Sequence, residues 1–173
     1  MTRFRILAIW LLAFSMPMLA GELKVGDELP VLRLEDQNGK PHTVDGSVHH
    51  LVFAPDRASS QMVTDTFKGQ TAASLQGRGI AYVADIKGMP SLVTSLFALP
   101  KMRKQPYPIL LGKKAADTAG LPRQAERVTV IDLNNGRIAS ITCLTNATEL
   151  RQGLGFDRMA ASPGNANDSP SGF

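Results

Sequence analysis

Apolar and polar positions along this chain alternate between two periods, one suited to strands and the other to helices. The stretch VLRLEDQNGKPHTV reads as two extended runs around Asn38-Gly39, a pair that accommodates the positive dihedrals of a tight turn, and predicts a β-hairpin. HHLVFA follows as a short, uninterrupted apolar run, the pattern of a strand buried on both faces. Beyond it the period lengthens. Met62, Val63 and Phe67 fall at helical spacing and predict a helix from about Ser59 to Leu75, capped by Ser59 or Ser60 and weakened at Gly69. IAYVADI is the next strand and MPSLVTSLFALP the next helix. That helix has Pro90 in its first turn, one apolar face of Met89, Leu92, Val93, Leu96 and Phe97, and Pro100 as its stop. YPILLG, RVTVIDL and RIASITCL read as strands, the last two joined through NNG. A final helix opens at Asn146, with Glu149 completing a capping pattern and Leu150 and Leu154 turned inward.

The order hairpin, strand, helix, strand, helix, strand, hairpin, helix predicts an α/β sandwich with a mixed central sheet flanked by helices and an N-terminal β-hairpin. Residues 21–156 form this domain. Residues 1–20 read as a secretory signal: Arg3 and Arg5 precede the apolar ILAIWLLAF, and MLA places a cut after Ala20. Met18 is larger than the residue usual at that point of a cleavage site, so an uncleaved anchor is the alternative. Residues 157–173 are small, polar and rich in Pro and Gly, the composition of a disordered tail. The expected location is therefore periplasmic or secreted.

Composition narrows the chemistry. The net charge of +4 falls to +2 once Arg3 and Arg5 are removed, and the basic residues are scattered apart from KMRKQ. That balance argues against a nucleic-acid partner, and against a membrane partner unless the N-terminal segment is retained. One cysteine, Cys143, excludes an internal disulfide. Strand alternation puts it on one face with Ala139 and Ile141, where a buried thiol behaves as a small hydrophobe. His49 and His50 are adjacent and should point to opposite sides of a strand, so even with His42 no metal site is expected. No phosphate loop, Ser-His-Asp order or cofactor motif is present, and no cofactor is expected. Asp56 and Arg57 sit before Ser59 and Ser60 in a polar loop. There they read either as solvated residues beside a helix cap or as part of an anion-binding helix start.

Three stretches together resemble the thioredoxin-like redoxins, a group that includes peroxiredoxins and periplasmic thiol-disulfide proteins. GDELPVLRLEDQNGK is similar to their first hairpin, YPILLGKKAADTAGLP to their Pro-containing strand and following turn, and VTVIDLNNGRI to the strand and hairpin near the C-terminus. The resemblance implies a reactive pair of cysteines at the loop after HHLVFA, where this chain has Ala58 and Gln61 around Ser59 and Ser60. A peroxiredoxin would place a Cys after Pro55 and Ser59 or Ser60, and none follows. The family's cis-proline position falls on Glu126, and the peroxiredoxin arginine is one residue out of register with Arg127. Without a thiolate to attack and a second thiol to resolve, dithiol exchange has no agent here. The resemblance therefore implies a divergent, non-redox member. Its usual substrate groove, bordered by Asp56 to Ser60 and by Glu126 and Arg127, would serve as a binding or accessory surface for a protein or peptide partner in the cell envelope. The alternative is a thiol oxidoreductase or antioxidant protein working through Cys143.

Overall fold

In the computed structural model the described residues are 21–156; the expected signal and tail lie outside them. Strands β1 (Leu32–Asp36), β2 (Pro41–Val44), β3 (His50–Ala54), β4 (Ile80–Asp85), β5 (Leu110–Gly112), β6 (Val128–Asn134) and β7 (Arg137–Leu144) form one sheet. Its seven strands run in the order β2-β1-β5-β4-β3-β6-β7. β3, β4 and β5 pair in parallel, and the remaining pairs are antiparallel. This is the mixed sheet expected from the segment order. The central β3 is buried at every position from Leu51 to Ala54, as its unbroken apolar run requires.

Two apolar clusters lie on the sheet. One gathers Val52, Tyr82 and Val130 under Val63, Leu75 and Leu150 of helices α1 (Arg57–Thr66), α2 (Ala72–Gly77) and α5 (Ala147–Gly153). Phe67 is its hub, meeting Tyr82, Tyr107 and Phe156 edge-on at 5.8, 5.4 and 5.6 Å. Such pairs each add about 0.5–1.5 kcal/mol beyond burial. The other cluster joins Phe53, Val83, Ile131 and Ile138 to Leu29 and Leu121, which come from non-helical segments crossing that face. The first of these segments is tied down at both ends: Leu23 N–H donates to Gly120 O, Gly26 N–H to Ile138 O and Leu29 N–H to Gly136 O.

The turns follow local chemistry. Asn135 and Gly136 have φ of 50° and 80°, which closes the β6–β7 hairpin as the NNG sequence predicts. The β1–β2 turn is wider than the tight turn expected there. Of its central residues only Gly39 takes a positive φ, and the Asp36 carboxylate accepts the Asn38 and Lys40 amides at 2.8 and 3.0 Å. The predicted helix from Ser59 to Leu75 is two helices, because Gly69 at φ 80° breaks it and Thr71 caps α2.

The helix over MPSLVTSLFALP departs most from expectation. It runs as α3 (Ser91–Val93), a π-helical turn (Thr94–Ala98) and α4 (Leu99–Met102), so Pro100 lies inside it rather than ending it. In the π turn Leu99 N–H donates to Thr94 O, five residues back, and the wider turn accommodates a proline that has no N–H of its own. The extra residue also shifts the phase of the apolar stripe. Met89, Leu99 and Met102 pack on the core, while Leu92, Val93, Leu96 and Phe97 are 72, 45, 63 and 70% exposed.

β7 contains a second phase shift. A bulge opposite Asp132 and Leu133 sets Ile138 against Leu133, Ile141 against Ile131 and Cys143 against Thr129. Ile138, rather than Ala139, therefore shares a face with Ile141 and Cys143.

Candidate functional site

The loop between β3 and α1 is built around Asp56. This residue has extended backbone, and its carboxylate accepts the Ser59 amide at 2.9 Å while its own amide donates to Ser59 Oγ at 3.1 Å. Asp56 is thus the N-cap of α1, and Ser59, fully buried, is the reciprocal partner rather than the cap. The second carboxylate oxygen accepts the Glu126 amide at 2.6 Å, across 70 residues of sequence. Burial alone would raise the Asp56 carboxyl. The amides of Ser59 and Glu126 and the Ser59 hydroxyl outweigh it and hold the group below the ordinary carboxylate value. The head of α1 is therefore capped by the protein's own Asp56 carboxylate.

Glu126 has φ of 60°, a left-handed backbone that ordinary side chains rarely adopt, and there is no cis peptide among the described residues. The strained turn points its amide at Asp56. A charged cluster around the buried Asp85 fixes the approach to that turn. Asp85, at the end of β4, accepts from Arg123 Nη1 at 3.0 Å and Thr118 Oγ1 at 3.1 Å and pairs with Lys87 at 3.3 Å. Arg123 also lies over the Phe53 ring.

The two sequence segments expected to border a groove are thus brought together, and the Asp56–Glu126 bond joins them. Arg57, Glu126 and Arg127 expose their side chains around this junction, and Ser60 is half-buried beside the Tyr82 hydroxyl. Ala58 and Gln61, at the positions of the absent cysteines, are exposed, and Gln61 joins Lys101 at 3.0 Å to Asp65 at 3.3 Å. Cys143 is half-buried, not enclosed as strand alternation suggested. Its polar neighbour is Thr129 Oγ1 at 3.8 Å.

The histidines are dispersed. His50 Nδ1 lies 2.7 Å from Asp132, which also accepts from Ser140 Oγ, while His42 meets Asp36 at 3.1 Å. No group of three potential metal ligands occurs among the described residues.

One feature of the site was not visible in the sequence. Between α1 and the π-turn helix lies a cleft of about 500 Å³, walled by Met89, Val93, Phe97, Met102 and Ile109, with Tyr82 also lining it and Arg57 and Lys101 at its edges. Its apolar residues read as core because Pro100 reads as the end of the helix rather than as the cause of a phase shift that turns Val93 and Phe97 outward. Nearby, the buried Tyr107 hydroxyl has no hydrogen-bond partner among the described residues. Burial, followed by the Asp65 charge, pushes Tyr107 up to about 12.

No protein-family profile matches the sequence, and no curated protein matches it. Solved structures do. A peroxiredoxin-like protein from Aquifex aeolicus superposes with a TM-score of 0.51 at 15% identity, covering 80% of this chain and 90% of that one. Peroxidoxin BcpB from Mycobacterium tuberculosis gives 0.52 at 15% identity, covering 82% and 100%. The thioredoxin domain of a thiol-disulfide oxidoreductase from Bacteroides vulgatus gives 0.51 at 11% identity, covering 79% and 99%. At these identities the likeness is one of fold. The chain has the thioredoxin-like fold with its N-terminal hairpin, and with a single cysteine it has no Cys-x-x-Cys pair.

Proposed function

We propose that this chain is an exported thioredoxin-like module without thiol chemistry, which holds a protein or peptide partner in the cell envelope at the surface around Arg57, Ser60, Glu126 and Arg127. The observation that carries the reading is the Asp56–Glu126 hydrogen bond. Where dithiol exchange needs an accessible thiolate and a second thiol, this chain has a carboxylate committed to a helix cap and to the opposite turn. The exposed side chains on either side of that bond then present polar contacts on a fixed frame. Export rests on Arg3, Arg5, the apolar run and MLA. No described helix is long and apolar enough to cross a membrane.

Affinity capture with the tagged protein from a periplasmic extract tests the role. A stoichiometric partner is expected, and its recovery should fall when Arg57 and Arg127 are both replaced by Ala in a chain that stays folded. Turnover of insulin disulfides, or of peroxide with a thiol donor, by the wild type would overturn the reading. The half-buried state of Cys143 beside Thr129 favours one second reading, a single-thiol antioxidant. That reading requires such turnover and its loss in Cys143→Ser.

A further inference from the structure

The cleft between α1 and the π-turn helix sets apolar side chains against a polar side of Ser60, Gln61, Thr64 and Gln105, with Arg57 and Lys101 as its charged lining. Met89, Val93, Phe97, Met102 and Ile109 line it, and the two methionines make those walls adaptable in shape. Its volume of about 500 Å³ falls among those of small-molecule sites. Phe97 and Val93 remain 70 and 45% exposed, so the cleft offers apolar area that the chain itself leaves uncovered.

Charge at the rim selects the kind of occupant. Lys101 Nζ donates to the neutral Gln61 Oε1 at 3.0 Å and forms no ion pair among the described residues. Asp65, the carboxylate that feels the charge of Lys101, is already paired with Lys68 at 2.9 Å. Arg57 is exposed, and its side chain forms no ion pair among the described residues. Asp56, its neighbour in sequence, has both carboxylate oxygens engaged by the cap and by Glu126. Arg57 and Lys101 thus line the cleft without an ion pair among the described residues, the nearby Asp65 being taken up by Lys68.

We propose that this cleft binds a small amphipathic acid, with the apolar body between α1 and the π-turn helix and the carboxylate at Arg57 and Lys101. The cleft shares Arg57 and Ser60 with the surface proposed above and differs from it in its apolar side chains and in Lys101. The π turn makes the site, since its phase shift directs Val93 and Phe97 toward the cleft while Leu99 and Met102 hold the helix on the core.

The test is a titration of the chain from Gly21 onward, with ¹³C-methyl-labelled methionine, by decanoate below its micelle concentration and by decyltrimethylammonium as the cationic control of equal chain length. The Met89 and Met102 methyls should shift saturably with decanoate, while Met62, outside the cleft, stays in place. The cationic amphiphile should bind about tenfold more weakly. Lys101→Gln, which lies outside the proposed partner surface, should weaken decanoate about two- to fivefold, as expected for one partly exposed charge. Ala98→Trp, which fills the cleft, should abolish the shifts. Equal binding of both amphiphiles, shifts spread over Met62 as well, or no saturable shift overturns the proposal. The last result would leave the exposed helix face to a macromolecular partner. Because Arg57 belongs to both surfaces, Lys101→Gln tells them apart: it should weaken decanoate and leave partner capture unchanged, and a loss of both would overturn the separate acid site.

Discussion

Replacing Asp56 by Ala should destabilise the domain far more than a surface-loop change. The substitution removes the N-cap of α1, a loss of about 0.5–2 kcal/mol in comparable caps. It also leaves the Glu126 amide without its charged acceptor. Bonds to charged groups contribute about 1.5–3 kcal/mol when buried, but Glu126 is exposed and its amide can take a water instead, so about 1 kcal/mol is the fitting share. The sum is about 1.5–3 kcal/mol, or a fall in Tm of roughly 5–12 °C for a domain of this size. Asp56→Asn separates the two parts. Its amide oxygen can serve the Ser59 amide or the Glu126 amide but not both, so about half the loss is expected. Urea unfolding followed by circular dichroism reads each variant. The pH dependence supplies the sign. Because the folded-state value of Asp56 lies below its unfolded one, its ionisation stabilises the fold above the unfolded value near 3.8, and this contribution is lost as pH falls through the depressed folded value. The gap between wild type and Asp56→Asn should therefore be constant at neutral pH and narrow below about pH 4. An Asp56→Ala cost within about 0.5 kcal/mol, or a gap unchanged down to pH 2, would refute the assignment of this carboxylate as the joint between the two loops.

Tyr107→Phe removes a buried hydroxyl without a partner while keeping the edge-on contact with Phe67, so chemical denaturation should find it neutral or up to about 2 kcal/mol more stable; a loss above about 1 kcal/mol would mean the hydroxyl is bonded. Glu126→Gly relaxes a left-handed backbone and retains the amide that Asp56 accepts, so stability should hold or rise by about 1 kcal/mol, and a fall of that size counts against strain at the turn. Cys143, half-buried against Thr129, should react with a thiol reagent more slowly in the native protein than in urea; equal rates would place it on the open surface.

Much of the scaffold was legible in the sequence because its signals are local. The unbroken run of β3, the Asn135-Gly136 turn and the cap at Asn146 each depend on residues within a few positions of one another. The candidate site was only half legible. A polar loop after a buried strand pointed to Asp56 through Ser60, yet Asp56 and Ser59 form a reciprocal box in which either residue reads as the cap from sequence. What makes Asp56 more than a cap is the Glu126 amide, a partner that no pattern over a few residues can reveal. Two phase shifts account for the other differences. The π turn exposes Val93 and Phe97, and the β7 bulge moves Ile138 into the place expected for Ala139. Each inserts one residue into a regular period; Pro100 beside the π turn reads as a helix stop, and no Gly or Pro marks the β7 bulge.

The segment from Leu23 to Leu29 has a further consequence, in the order of assembly. Its amides donate to carbonyls at Gly120, Gly136 and Ile138, so the first described residues of the chain are held by some of the last to be synthesised. Loop closure over such a span comes late, after the parallel strands have local partners to build on. A nascent chain halted before the β6–β7 hairpin would lack the edge that seats this segment, and β3 would lack its neighbour β6. Vectorial synthesis therefore cannot finish this sheet piecemeal. The domain closes only when nearly all of it is available at once.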